Sequence, residues 1–434
     1  MKRYFILLSL LLFLNLSAQK KVMDIFLGGT KVGYYVEEQT NVDSLIKIEE
    51  KNKMKFEIYG NDVEIFSNSI SFYDKNWNIK KFFVGVNSKD ISFFLNGYVQ
   101  NDKLIIKTDL SGKEKTDILD VKGKKIIFNL ESVDKKILKE NLFTLNPLNI
   151  KLEKVDIKFL NDDTLTISGK RYTSSKYLFK SESSTFYLWF DDKNRCIKSS
   201  SDQGIEMVIS DSVKEPTENF NILDYFKIEA EGNFRNIRKE NYAKYIIEGI
   251  KDKDISNFRQ IHKKDTLEVF RKTINSEGFK DVKDSFYLLP DTSINSIAEK
   301  LFKDSKYDTL TFIKKSMEFV NKKLKKKVYS GLLTPPQILK NSYGDCTEHS
   351  QLFASLLLSK NVKVNVVSGL VFSEGQFFYH AWNNVFYKGK IYSVDPTFKQ
   401  FEVDPSHIEI SSGFPPQEVL LKNISGKIVI RRIK

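Results

Sequence analysis

From Val22 to about Ser212, apolar and polar residues alternate in short runs separated by turn residues, the pattern of strands that bury one face and wet the other. Met54, Phe56 and Ile58 lead through Gly60-Asn61-Asp62 to Val63 and Ile65, Leu104 to Ile106 follows Asn101-Asp102, and Val121 and Ile126 flank Lys122-Gly123. Phe186 to Phe190 meets Cys196-Ile197 across Asp191-Asp192-Lys193-Asn194. Val155, Ile157 and Phe159 precede Asn161-Asp162-Asp163, with Leu165 and Ile167 beyond, which predicts a further hairpin there. Residues 19–214 are therefore expected to form an antiparallel all-β domain. Strand-like segments such as Tyr242 to Ile247 make 215–289 either a β-rich continuation or a small second β domain.

After Pro290 the period changes. Leu310, Ile313, Met317, Val320 and Leu324 recur at steps of three and four, one buried stripe of a helix. The run Lys322-Lys323-Leu324-Lys325-Lys326-Lys327 is expected to continue that helix as a solvated face. A second helix is predicted from near Asp345, then strands over Val364 to Phe372, Phe377 to Tyr387 and Ile391 to Val394. The expected fold class is α+β: an N-terminal antiparallel β region followed by a mixed unit over 290–434.

Composition narrows the class. With 41% hydrophobic and 13% aromatic residues, the chain has the means to pack cores, which excludes a wholly disordered or collagen-like protein. The formal charge of +13 is spread among interleaved acids, and no zinc-finger or RNA-binding signature accompanies it, so no nucleic-acid partner is expected. Lys2 and Arg3, the apolar run Tyr4 to Leu14 and Leu16-Ser17-Ala18 before Gln19 predict a signal peptide over 1–18 and a periplasmic or secreted protein. The apolar run is short for a bilayer, and no transmembrane span is expected after cleavage. The two cysteines, Cys196 and Cys346, supply no disulfide framework.

Candidate chemistry centres on Tyr343-Gly344-Asp345-Cys346-Thr347-Glu348-His349, followed by the apolar Leu352 to Leu358. The Asp-x-x-Glu spacing is that of a capping box, with Asp345 as N-cap and Cys346 as the first helical residue. Free N–H groups and the helix dipole at that position favour a thiolate, and the thiol pKa is expected to be lowered. A base is available in His380, within Phe377 to Val385. If Lys388-Gly389 is a two-residue hairpin loop, Tyr387 pairs with Lys390 and the register carries on to Trp382 opposite Asp395. Asp395 then lies diagonal to His380 on the same face of the sheet and can accept its imidazole N–H. Nucleophile, base and orienter make an acyl-transfer constellation.

Gly344-Asp345-Cys346-Thr347-Glu348-His349, His380-Ala381-Trp382 and Asp395-Pro396-Thr397 resemble, in order, the core motifs of the transglutaminase-like superfamily. The likeness spans about Leu289 to Gln400. It implies a papain-like core with catalytic Cys346, His380 and Asp395. Asp404-Pro405-Ser406-His407-Ile408 also resembles a segment that follows this core in bacterial exported members, with no role attached. The backbone N–H of Cys346 is the expected oxyanion donor, and Gln337, Tyr343 and Trp382 are candidates for oxyanion or substrate contact. No EF-hand-like loop is present, and no cofactor or metal is expected. The expected activity is attack on an amide through a thioester, resolved by water in a peptidase or amidase. The alternatives are a cross-linking transglutaminase and a non-catalytic binding or scaffold protein. The expected partner is a protein or peptide substrate, cell-envelope material included.

Overall fold

The computed structural model describes residues 19–413 and 428–434, apart from 59–60, 89–91, 111–112, 148, 203, 250–253, 277–278, 280, 283–287 and 328–332. The signal peptide expected over 1–18 lies outside the described residues. The alternating first part forms one 13-stranded antiparallel sheet. Two runs of hairpins, from Gln19 to Asp120 and from Asp156 to Ser210, join where Ile205–Ser210 pairs with Gln19–Leu27. Ile48, Phe82, Leu95, Leu104, Phe179 and Phe190 on one face of the sheet pack against Ile126, Ile137, Leu142 and Leu145 of the segment connecting the two runs. Each such side chain stabilises the fold by roughly 1.5–3 kcal/mol when buried.

One predicted turn is absent. Asn161-Asp162-Asp163 lies inside a single strand, Asp156–Ile167, and the register with Lys170–Lys180 shifts between Phe159 and Asn161. A bulge absorbs the polar residues there, because the partner strand continues alongside and the turn falls at Ser168-Gly169 instead.

Residues 229–270 build a separate five-stranded sheet, in the order Glu229–Glu231, Val429–Arg432, Tyr242–Glu248, Thr266–Phe270, Gln260–Lys263. Its second strand comes from the end of the chain: Ile430 sits between Ala230 and Ile247. This middle sheet shares one core with the unit that follows it in sequence, with Tyr245, Ile247 and Ile430 packed alongside Leu370, Phe377 and Ile408.

The last unit sets helices Thr292–Asp304, Thr309–Lys323, Pro335–Asn341 and Cys346–Leu358 against an antiparallel sheet. The sheet order is Gln400–Phe401, Lys390–Asp395, Gln376–Tyr387, Lys363–Ser373, His407–Ser412. Helix Cys346–Leu358 is buried continuously from Glu348 to Leu357, as expected for a central helix enclosed on all sides. The lysine run departs from expectation: the helix stops at Lys323, and Lys325 and Lys326 pair in parallel with Tyr343 and Gly344. The β-region torsion at Leu324 ends the helix, and the pairing fixes the backbone that enters the Cys346 helix. Among the described residues, no helix is long and apolar enough to cross a membrane.

Candidate active site

Cys346 begins its helix, as the capping pattern predicts. Asp345 is the N-cap, and its N–H donates to Glu348 Oε2 at 2.8 Å. Gly344 is needed for this cap on steric grounds, since a Cβ there would fall on the Glu348 side chain. Burial raises the Glu348 carboxyl to about 7. Folding therefore binds a proton more tightly than the unfolded chain does, so the contribution of Glu348 is complete below about pH 4.5 and is lost as pH rises toward 7. Glu348→Gln should remove this slope, worth roughly 3 kcal/mol between those limits, as measured by urea melts at pH 5 and pH 7.5.

The hairpin register is the one the two-residue loop predicts. Tyr387 pairs with Lys390, and pairing continues to Asn383 opposite Val394. Lys388 and Gly389 both have positive φ, as a type I′ turn requires. This brings His380 Nε2 within 2.8 Å of Asp395 Oδ2. The other carboxylate oxygen accepts the N–H groups of Thr397 at 2.7 Å and Phe398 at 3.0 Å. Burial opposes ionisation of Asp395, but His380 and His407 outweigh it and hold the carboxyl far below its usual range. With Nε2 committed to Asp395, the ring nitrogen left for a thiol is Nδ1. The Ala381 N–H, next to His380 in the strand, favours the charged form of the Cys346 sulfur, which brings the helix start up to the strand that carries the base.

The thiol itself departs from expectation. Burial and the nearby carboxylates of Asp345, Glu348 and Asp395 push its pKa up, and the Ala381 N–H offsets only part of that. The acids around the helix start thus work against the thiolate that the helix N-terminus favours. Cys346 and Cys196 are both free, and Cys196 lies in the core of the first sheet.

The three secondary candidates sit as follows. The Gln337 amide oxygen accepts both the N–H and the hydroxyl of Thr334 at 2.9 Å, which caps that helix and leaves its NH₂ as the group able to donate. Tyr343 is exposed, with Lys327 over its ring at 5.8 Å. Trp382 is fully buried, with its ring nearly parallel to His380 and edge-on to His407. It is therefore a wall behind the imidazoles. Phe398, which no sequence signal marks, stacks on His380 at 4.9 Å.

His407 is the main residue to which sequence reasoning attached no role. Its Nε2 lies 3.1 Å from the same Asp395 oxygen that His380 contacts, and its Nδ1 lies 3.4 Å from Asp404 Oδ1. Three of the chain's four histidines, His349, His380 and His407, are buried in this unit. His380, Asp395 and His407 each offer one ligand atom, all within 4.8 Å of one another, a donor set of the kind that can hold a metal ion. The carboxylate is already satisfied by hydrogen bonds on both oxygens. Gly369 lies between the two histidine strands, opposite both His380 and Glu409. A Cβ there would fall on the Ile408 carbonyl and the Trp382 ring, so Gly369→Ala should destabilise the fold by about 1–3 kcal/mol, measured by thermal melting.

A thiol at a helix start, an imidazole on a neighbouring strand and a carboxylate across a hairpin make a cysteine-protease-like arrangement. The chain carries a domain of the transglutaminase-like superfamily, whose family model matches residues 295–396. No curated protein matches the chain. Among solved structures, it is similar to a β-barrel-like protein of a domain of unknown function from Brucella abortus, at 10% identity over 45% of this chain and 96% of that one, with a TM-score of 0.33. It is also similar to a protein provisionally called a cysteine protease from Cytophaga hutchinsonii, at 9% identity over 44% and 82% of the two chains, with a TM-score of 0.26. A third, provisionally called a protease, is from Parabacteroides distasonis, at 8% identity over 81% and 70%, with a TM-score of 0.21.

Proposed function

We propose that the protein is an exported cysteine amidase or peptidase in which Cys346 attacks an amide carbonyl. The observation that carries this reading is the His380–Asp395 hydrogen bond of 2.8 Å, with Cys346 at the start of the helix packed against that strand. The thiol proton passes to His380 Nδ1 as the carbon–sulfur bond forms. The resulting imidazolium is stabilised by Asp395 and protonates the leaving nitrogen. The first i to i−4 bond of the helix runs from the His349 N–H to the Asp345 carbonyl, which leaves the Cys346 N–H available to the oxyanion. Water then hydrolyses the thioester. We further propose export, with Gln19 as the mature N-terminus, and assign the large first sheet to presenting a protein or peptide substrate.

The test uses the full chain with a glutamine peptide and a labelled amine. Ammonia release without amine incorporation, lost in Cys346→Ala, is the expected result. Efficient incorporation would replace hydrolysis with cross-linking. If Cys346 is alkylated no faster than Cys196 and Cys346→Ala changes nothing, the enzymatic reading fails.

A further inference from the structure

Resting on the function proposed above, we infer that His407, clamped between Asp395 and Asp404, is a positioning residue that fixes Asp395 for His380, and that the middle sheet is part of the catalytic unit because it holds His407 in place. The geometry is a buried chain of four groups: His380 Nε2 to Asp395 Oδ2 at 2.8 Å, the same oxygen to His407 Nε2 at 3.1 Å, and His407 Nδ1 to Asp404 Oδ1 at 3.4 Å. A carboxylate with one imidazole partner is free to rotate or exchange oxygens. With a donor on each side of Oδ2 and two backbone N–H groups on Oδ1, Asp395 has a single orientation left.

His407 can donate from both nitrogens only as an imidazolium. Burial opposes that charge, but the hydrogen bonds and charges of Asp395 and Asp404 outweigh it and raise the pKa.

The backbone around His407 is held from outside its own unit as well as from within it. Arg259, in the turn that opens the middle-sheet strand Gln260–Lys263, donates to the carbonyls of His407 at 2.9 Å, Asp404 at 3.1 Å and Val403 at 3.2 Å. The neighbouring Gln260 exchanges hydrogen bonds with the backbone of Glu409, accepting its N–H at 3.0 Å and donating to its carbonyl at 2.7 Å. Tyr245 of the same sheet donates to the Pro405 carbonyl at 2.9 Å. The backbone around His407 is thus tied to the middle sheet at residues 403, 404, 405, 407 and 409, while the catalytic hairpin requires none of these bonds to form.

The experiment combines a spectroscopic readout with a chemical one on the full chain. Proton NMR of the protein with ¹⁵N-labelled histidine should show two strongly deshielded imidazole N–H resonances bridging to Asp395, and a single such resonance would overturn the inference. His407→Phe keeps an aromatic ring without donors and should slow iodoacetamide alkylation of Cys346 about tenfold, while His407→Gln keeps an N–H donor and should recover most of that rate. Wild-type alkylation in a folded His407→Phe protein would also overturn the inference, and if that variant does not fold, the NMR result decides. His380→Ala separates the two readings. If it leaves Cys346 reactivity unchanged, the proposed function itself fails, whereas a slow His380→Ala beside a fast His407→Phe defeats only the role of His407.

Discussion

Asp395→Asn should lower the rate of Cys346 alkylation and of amide hydrolysis by about 10²–10⁴-fold. The argument rests on donor counting. Both oxygens of Asp395 act only as acceptors: Oδ2 for the Nε2 groups of His380 and His407, and Oδ1 for the N–H groups of Thr397 and Phe398. An asparagine must turn its NH₂ toward one of these pairs. Facing the imidazoles, it forces His380 into the tautomer that carries its proton on Nδ1, where the thiol proton must arrive. Facing the backbone, it sets donors against donors in a buried site and pushes the 395–398 turn apart. The first outcome removes the base and the second displaces it, while the thiol remains in both. Iodoacetamide kinetics, checked by circular dichroism for an intact fold, measure the effect directly. A loss of less than tenfold would mean that the carboxylate does not orient the base.

This site was largely legible in the sequence because its parts are local. An Asp-x-x-Glu cap puts Cys346 at a helix start, and a two-residue Lys388-Gly389 turn fixes the parity that places Asp395 diagonal to His380. Both depend on short-range backbone rules. What sequence could not supply is the long-range part. Burial and the approach of Asp395 from another stretch of chain add to the local acids Asp345 and Glu348 in pushing the thiol pKa up, and only the folded packing reveals that balance.

The same division holds for the fold. Alternation marked the strands of the first sheet and the period of three and four marked helix Thr309–Lys323. The polar triplet Asn161-Asp162-Asp163 resembles a turn locally but lies within a strand because its partner runs past it. Helix Thr292–Asp304 buries only Ile294 and Ala298, a stripe too sparse for periodicity to reveal. Val429–Arg432 joins the middle sheet across almost the whole length of the unit before it, a pairing that no local pattern encodes. His407 has a place in the site because tertiary contacts bring its loop back to Asp395.

Arg259→Met should be the most destabilising single change outside the hydrophobic cores, by about 3–5 kcal/mol. Arg259 is 1% exposed and donates to four backbone carbonyls: His407, Asp404 and Val403, together with Phe270 of its own sheet at 3.0 Å. Burial lowers its pKa to about 10, so it remains charged at neutral pH. Methionine fills the volume but leaves four buried oxygens without these partners, and each such loss costs about 1–3 kcal/mol before relaxation. Lysine should not rescue the fold, because an ammonium on a flexible stem cannot reproduce the planar fork that reaches the 403–407 loop and Phe270 together. Arg271 is the control: it bonds the carbonyls of Glu240, Glu402 and Arg238 from a half-buried position, where water can replace it, and Arg271→Met should cost much less. Thermal melting of the two variants side by side checks the difference. If Arg259→Met melts with the wild type, the middle sheet is not what holds the 403–407 loop against the catalytic hairpin.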